Sequence, residues 1–80
     1  MNECVVRILS EHFKLEPGEL KESMNLRIDL KADSLDYIKI IMMLERDYGI
    51  IIPFGRFGGI KTVGDLSEVV DEVVKGNVTS

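Results

Sequence analysis

The side chain in this sequence best placed for chemistry is the hydroxyl of Ser34, which follows an aspartate and opens a long apolar pattern. Asp33 is of a type that caps helices, because its carboxylate can accept from the backbone N–H groups of the next turn. Ser34 would then begin a helix that runs to about Tyr48, where Gly49 ends it. At that position the free N–H groups and the positive end of the helix dipole favour an attached phosphate. Taken alone, the pair Asp33-Ser34 indicates only helix capping.

Two other side chains carry weaker chemical signals. A hydrolase that used Ser34 as nucleophile would need His12, the one histidine, within hydrogen-bond reach as its base. Nothing in the sequence places His12 there, and the pattern Gly-x-Ser-x-Gly is absent. Cys4 has no second cysteine and one distant histidine, so a structural metal site lacks ligands. We expect no enzyme, no catalytic residue and no metal, and interpret His12 as an ordinary residue of the first helix.

The elements around Ser34 are predicted to be helices. From Glu3 to Leu15 the apolar residues fall at roughly helical spacing, and Pro17-Gly18 ends that helix. The irregular stretch between Glu19 and Lys31 predicts a long loop that its apolar residues pin to the core. A strand there would have no partner strand.

The rest of the chain predicts one short and one longer helical segment. Three glycines within Phe54–Gly59 disfavour a regular helix, so we expect a loop or one frayed turn there. Thr62 is a plausible N-cap for a final helix from Val63 to about Lys75, with Gly76 beyond it. The prediction is an all-α fold: a small four-helix bundle with a long first loop and a short or frayed third helix.

Length and charge limit the function further. Eighty residues suit a single domain over 1–80, with a thin core. A net charge of −4, with basic residues scattered among acidic ones, argues against a nucleic-acid partner. No signal peptide is evident, and the longest apolar run, Ile40 to Leu44, is too short to span a membrane. We expect a soluble cytoplasmic monomer.

The central helix is predicted to have two apolar sides. At about 100° per residue, one cluster faces the core; it comprises Tyr37, Ile40, Ile41, Leu44 and Tyr48. Leu35, Ile38 and Met42 lie on a different side, close to Ser34. This second side either packs beneath the long loop or docks a partner, as exposed apolar patches often do. Its position beside Ser34 favours the docking interpretation.

A run of seven residues around Ser34 resembles a family motif. Leu30-Lys31-Ala32-Asp33-Ser34-Leu35-Asp36 is similar to the Leu-Gly-Ala-Asp-Ser-Leu-Asp motif of acyl carrier proteins, with Lys31 in place of the usual glycine. Further matches at the family's spacing extend over essentially the whole chain; they are Asp29-Leu30, Met42 to Glu45, Ile52-Pro53 and Thr62-Val63. The resemblance also implies the four-helix architecture and its long first loop.

The resemblance implies a cofactor and its partners. In that family the motif serine carries 4′-phosphopantetheine, which a separate phosphopantetheinyl transferase installs from coenzyme A, and the terminal thiol holds acyl groups as thioesters. Carried over to this chain, the resemblance implies that Ser34 is the modified residue. Asp33 corresponds to the neighbouring acid, which caps the helix and helps the transferase recognise the site. Acyl-transfer, ligase or condensing enzymes would dock on the apolar and acidic positions of the central helix. These positions are Leu35, Asp36, Ile38, Met42 and Glu45.

Family members that hold fatty chains do so between the second helix and the segments after it. The matching positions for an acyl pocket are Ile40, Leu44, Ile60, Val63 and Leu66, with Phe54 or Phe57 as further candidates. All five would be core residues under any interpretation. The pattern therefore leaves the cargo open.

Two departures from the family pattern point to a specialised carrier in fatty acid, polyketide or related biosynthesis. Lys39 and Arg46 stand where acids are common on the second helix. The usually acidic third helix is replaced by Phe54–Gly59. Two alternatives remain. One is an aminoacyl or peptidyl carrier, and the other is an unmodified helical module that binds a partner through Leu35, Ile38 and Met42.

Overall fold

The computed structural model describes residues 2–76, and its regular elements are helices. Three α-helices span Glu3–Phe13 (α1), Ser34–Tyr48 (α2) and Val63–Val74 (α3). Short 3-10 helices lie at Pro17–Glu19 and Phe54–Gly59. The predicted all-α fold is confirmed. The glycine-rich 3-10 helix Phe54–Gly59 is the short helix that was predicted between the second helix and the final one, α3.

The first helix is shorter than the sequence pattern predicts. Asn2 caps it by accepting from the N–H groups of the second and third helical residues. It ends at Phe13, because Lys14 adopts a left-handed backbone conformation with φ of 56°. The N–H groups of Lys14 and Leu15 both donate to the carbonyl of Ser10, which turns the chain out of the helix. The prediction of a helix to Leu15 was wrong, since apolar spacing continues past the point where the backbone turns.

One core joins the three α-helices. The predicted inward side of α2 lies in this core through its aliphatic residues, while Tyr37 and Tyr48 are half-buried. The buried aliphatic residues of the helices are Val5, Ile8, Leu9, Ile40, Ile41, Leu44, Val63, Leu66, Val69 and Val70. Because α1 and α3 both pack here, the outward side of α2 stays uncovered.

The long loop between α1 and α2 is fastened to the start of α3. Leu20 and Leu26 are buried, which confirms that apolar residues pin the loop to the core. Ile28 is an exception, since 75% of its surface is exposed. The N–H of Leu26 also donates to the carbonyl of Lys61 at 2.9 Å, next to an isolated antiparallel bridge between Asn25 and Thr62. The loop therefore fixes the position of the start of α2 relative to the start of α3.

Within residues 2–76, none of the helices is both long and apolar enough to cross a lipid bilayer.

Candidate functional site

The start of α2 is closed by a reciprocal cap. The carboxylate of Asp33 accepts from the N–H of Asp36 at 2.9 Å, and the carboxylate of Asp36 accepts from the N–H of Asp33 at 3.0 Å. This arrangement fixes the first turn of the helix by satisfying two N–H groups that would otherwise lack partners. The predicted N-cap and helix start are confirmed, as is the helix end at Gly49, where φ is 62°.

Ser34 is exposed in the first position of this helix. Among residues 2–76, neither its hydroxyl nor its backbone N–H has a hydrogen-bond partner, and the N–H of Leu35 is likewise unbonded. An oxygen of a phosphate attached to the hydroxyl can accept from such N–H groups, and the helix dipole favours its negative charge. The residues present therefore fit a phosphate-linked prosthetic group.

His12 is the site residue whose role the sequence did not reveal. Its Nε2 lies 2.8 Å from Oδ1 of Asp36, which joins α1 to the first turn of α2. The hydrogen bond to His12, and then that from the backbone of Asp33, hold the pKa of Asp36 below its usual range. No local pattern signals this contact, because 24 residues separate the two side chains. In the described part of the chain His12 makes no hydrogen bond to Ser34, so no nucleophile–base pair forms.

The outward side of α2 is uncovered. Leu35, Ile38 and Met42, which we call the apolar stripe, are exposed by 63%, 50% and 61%. The interpretation that this side packs beneath the long loop is therefore wrong. Glu45, on the same side, is half-buried, and its Oε2 accepts from the N–H of Ile52 at 2.9 Å. Its carboxylate fixes the chain that follows α2.

An open groove of about 590 Å³ begins at Ser34. It lies between the start of α2, the long loop and the 3-10 helix Phe54–Gly59, and its apolar lining includes Tyr37, Ile38 and Phe57. Phe54, which is largely exposed, also lines it and has its ring centroid 5.3 Å from that of Phe57. The groove places an apolar surface within reach of a group attached to Ser34.

All five predicted pocket residues are buried in the core, and one of them also lines this groove. Ile60 lines the groove. The other four are packed in the core with at most 2% of their surface exposed; they are Ile40, Leu44, Val63 and Leu66. A chain could reach those four only if the core opened.

Lys31 occupies the position where the resembling motif has glycine, and the backbone shows why glycine suits it. Lys31 has a φ of 57°, in the left-handed region that glycine adopts without steric cost. The N–H of Ala32 then donates to the carbonyl of Leu26 at 2.8 Å, which closes the loop just before the cap. The motif geometry is therefore kept although its glycine is absent.

Comparison with known proteins agrees with this geometry. Residues 4–70 match the family described as "Phosphopantetheine attachment site". Over 67 residues the chain is 42% identical to a protein of Prochlorococcus marinus (strain MIT 9515) named "Acyl carrier protein", an alignment that covers 84% of each chain. Acyl carrier proteins hold their cargo on phosphopantetheine, and they are carriers and not enzymes. The chain belongs to the acyl carrier protein family.

Proposed function

We propose that Ser34 is the residue that bears the 4′-phosphopantetheine arm. The observation that carries this proposal is the exposed hydroxyl of Ser34, next to the unbonded N–H groups of Ser34 and Leu35. When attached, the arm supplies a terminal thiol that holds an acyl group as a thioester. Asp33 and Asp36 keep the first turn of α2 in shape, so that the hydroxyl stays at the end of the helix dipole.

His12 supports this arrangement from α1. Its hydrogen bond to Asp36 restrains one member of the cap, so the first turn of α2 is held by a neighbouring helix as well as by its own residues. We propose that His12 positions Asp36 and takes no part in acyl transfer.

A carrier must meet the transferase that installs its arm and the enzymes that load and use its cargo. The apolar stripe lies on the same helix as Ser34, so an enzyme that grips it brings its own active site close to the arm. Acyl-transfer, ligase or condensing enzymes fit this role. Asp36 and Glu45, also expected to dock partners, are largely engaged within the chain, so the stripe contributes most of the contact.

The cargo would lie in the groove beside Ser34 or, with opening of the core, among Ile40, Leu44, Val63 and Leu66. The groove favours an apolar acyl group, because aromatic and aliphatic side chains form most of its lining. We propose a monomeric carrier formed by one domain over residues 1–80, acting in the cytoplasm on a specialised fatty acid or polyketide route.

Attachment can be tested with a broad-specificity phosphopantetheinyl transferase and coenzyme A. The wild-type chain is expected to gain the mass of the arm, and Ser34→Ala is expected to gain none. Ser23→Ala, in the exposed long loop, is the matched control and should gain the arm like the wild type. A mass gain in Ser34→Ala, or none in the wild type, contradicts the proposal; the second outcome favours the unmodified interaction module.

A further inference from the structure

The charges beside the apolar stripe differ in sign from the charge of the whole chain. Lys39 and Arg46 follow the stripe along one side of α2, and both are exposed. Because successive residues of a helix are rotated by about 100°, Lys39 and Arg46 project from α2 in nearly the same direction as Leu35. In residues 2–76, Lys39 has no ion pair, and Arg46 pairs only with its neighbour Asp47 while staying 74% exposed. This border of the stripe is therefore cationic, although the whole chain carries −4.

The acidic residues of α2 are engaged elsewhere. Asp36 is bound to His12, and Asp47 accepts from Arg7 of α1 at 3.2 Å, so both lie on the side that faces α1. Glu45 accepts from the backbone after the helix. The second helix thus uses its carboxylates for contacts within the chain and leaves its cations beside the stripe.

More cations surround the Ser34 end of the stripe. Arg27 and Lys61 line the groove that begins at Ser34, and the guanidinium of Arg27 lies 5.9 Å from the ring centre of Tyr37. Lys31 is exposed just before the helix cap, and within the described residues it makes no ion pair. The acid next to Ser34, Asp33, holds the cap and is already bound to a backbone N–H.

We infer that the apolar stripe docks an enzyme surface with an apolar socket bordered by aspartate and glutamate. This inference rests on the proposed function, which makes the stripe the contact surface for partners. Charges in contact at an interface are set by local complementarity, because salt screens more distant charges beyond about 10 Å. The net charge predicts basic partners, whereas the border of the stripe predicts acidic ones.

Two helical peptides separate these expectations. Both carry the same leucine face, bordered by glutamates in one peptide and by lysines in the other. Each is titrated into the isotope-labelled protein bearing its arm, and amide shifts over residues 34–46 report binding at the stripe. The glutamate peptide is expected to bind roughly three- to tenfold more tightly at low salt, as a few exposed ion pairs allow. The preference should shrink at high salt.

Charge reversal provides the matched controls. Lys39→Glu combined with Arg46→Glu should abolish or invert the preference for the glutamate peptide. Lys21→Glu combined with Lys75→Glu changes the net charge equally, at exposed positions outside α2, and should leave the preference in place.

The inference is overturned if the lysine peptide binds α2 as tightly or more tightly, or if neither peptide shifts these amides. It is also overturned if both double variants behave alike, since net charge would then suffice. Gain of the arm on Ser34 is measured separately. A chain that takes the arm but does not prefer the glutamate peptide keeps the proposed function and loses only the acidic partner.

Discussion

α2 and α3 begin with the same kind of cap, yet their first helical residues have opposite surroundings. Asp33 and Thr62 each accept from the N–H of the third helical residue, at 2.9 Å and 3.0 Å. Each cap is reciprocated by an aspartate at that third position. Ser34 is nevertheless exposed, whereas none of the surface of Val63 is exposed.

The backbone N–H groups differ in the same way. At α3, the N–H of Val63 donates to the carbonyl of Met24 at 3.0 Å, and that of Gly64 donates to Glu22 at 2.9 Å. The corresponding groups at α2, in Ser34 and Leu35, are unbonded within residues 2–76. A helix start thus becomes available to a phosphate only where no other part of the chain takes its N–H groups.

Alanine at the two first positions should show the largest contrast. Val63→Ala removes buried methyl groups and is expected to lower the free energy of unfolding by about 2 kcal/mol or more. Ser34→Ala removes an exposed hydroxyl and should change it by less than about 0.5 kcal/mol. Urea unfolding of both variants checks this. Equal losses would mean that Ser34 also has a structural role.

The two caps should contribute equally to the free energy of unfolding. Asp33→Ala and Thr62→Ala are each expected to cost about 1 kcal/mol, because each leaves an N–H group of the first turn without its acceptor. Asp33→Asn keeps an acceptor oxygen and should cost distinctly less in the same denaturation assay. If Asp33→Asn is as costly as Asp33→Ala, the charge of Asp33 matters more than its hydrogen bond.

The approach to each helix start provides a smaller contrast. Lys31, three residues before Ser34, has a φ of 57°, while Ile60, three residues before Val63, has a φ of −93°. Lys31→Gly should therefore raise the free energy of unfolding by about 0.5–1 kcal/mol, since glycine adopts this conformation without strain. Lys39→Gly, within α2, should instead lower it by about 1 kcal/mol. A loss in both variants would argue against strain at Lys31.

The smallest expected contrast is in the pKa values of the two aspartates that reciprocate the caps, Asp36 and Asp65. Only that of Asp36 depends on a histidine. Hydrogen bonds from His12 and the backbone lower the pKa of Asp36, whereas the backbone N–H groups of Lys61 and Thr62 lower that of Asp65. His12→Gln should therefore raise the pKa of Asp36 and leave that of Asp65 unchanged, as followed by carboxyl NMR titration. An unchanged pKa of Asp36 would show that the backbone hydrogen bonds suffice.

The sign of the resulting pH effect follows from the lowered pKa. Ionised Asp36 stabilises the folded chain above the unfolded-state pKa near 4, and this stabilisation is lost as the pH falls through the lower folded-state value. The His12→Gln variant should therefore lose less stability than the wild type on acidification below about pH 4.

Local sequence signals were sufficient for most of the helix ends. The starts at Ser34 and Val63 were predicted because aspartate and threonine are favoured N-cap residues, and the structure confirms both caps. The end of α1 was misjudged, since Lys14 turns left-handed without a glycine to signal it. Helical periodicity predicted the apolar stripe but left open whether it packs beneath the long loop, and the structure shows it exposed.

The sequence by itself determined which residue begins α2, which two sides of that helix are apolar, and which family motif surrounds Ser34. These properties depend on neighbours within a few residues along the chain. Only the tertiary structure decided that α3's N–H groups are used by the long loop, that His12 holds Asp36, and that α2's carboxylates turn to contacts within the chain. Such contacts join residues far apart in sequence, so they exist only once the helices have packed.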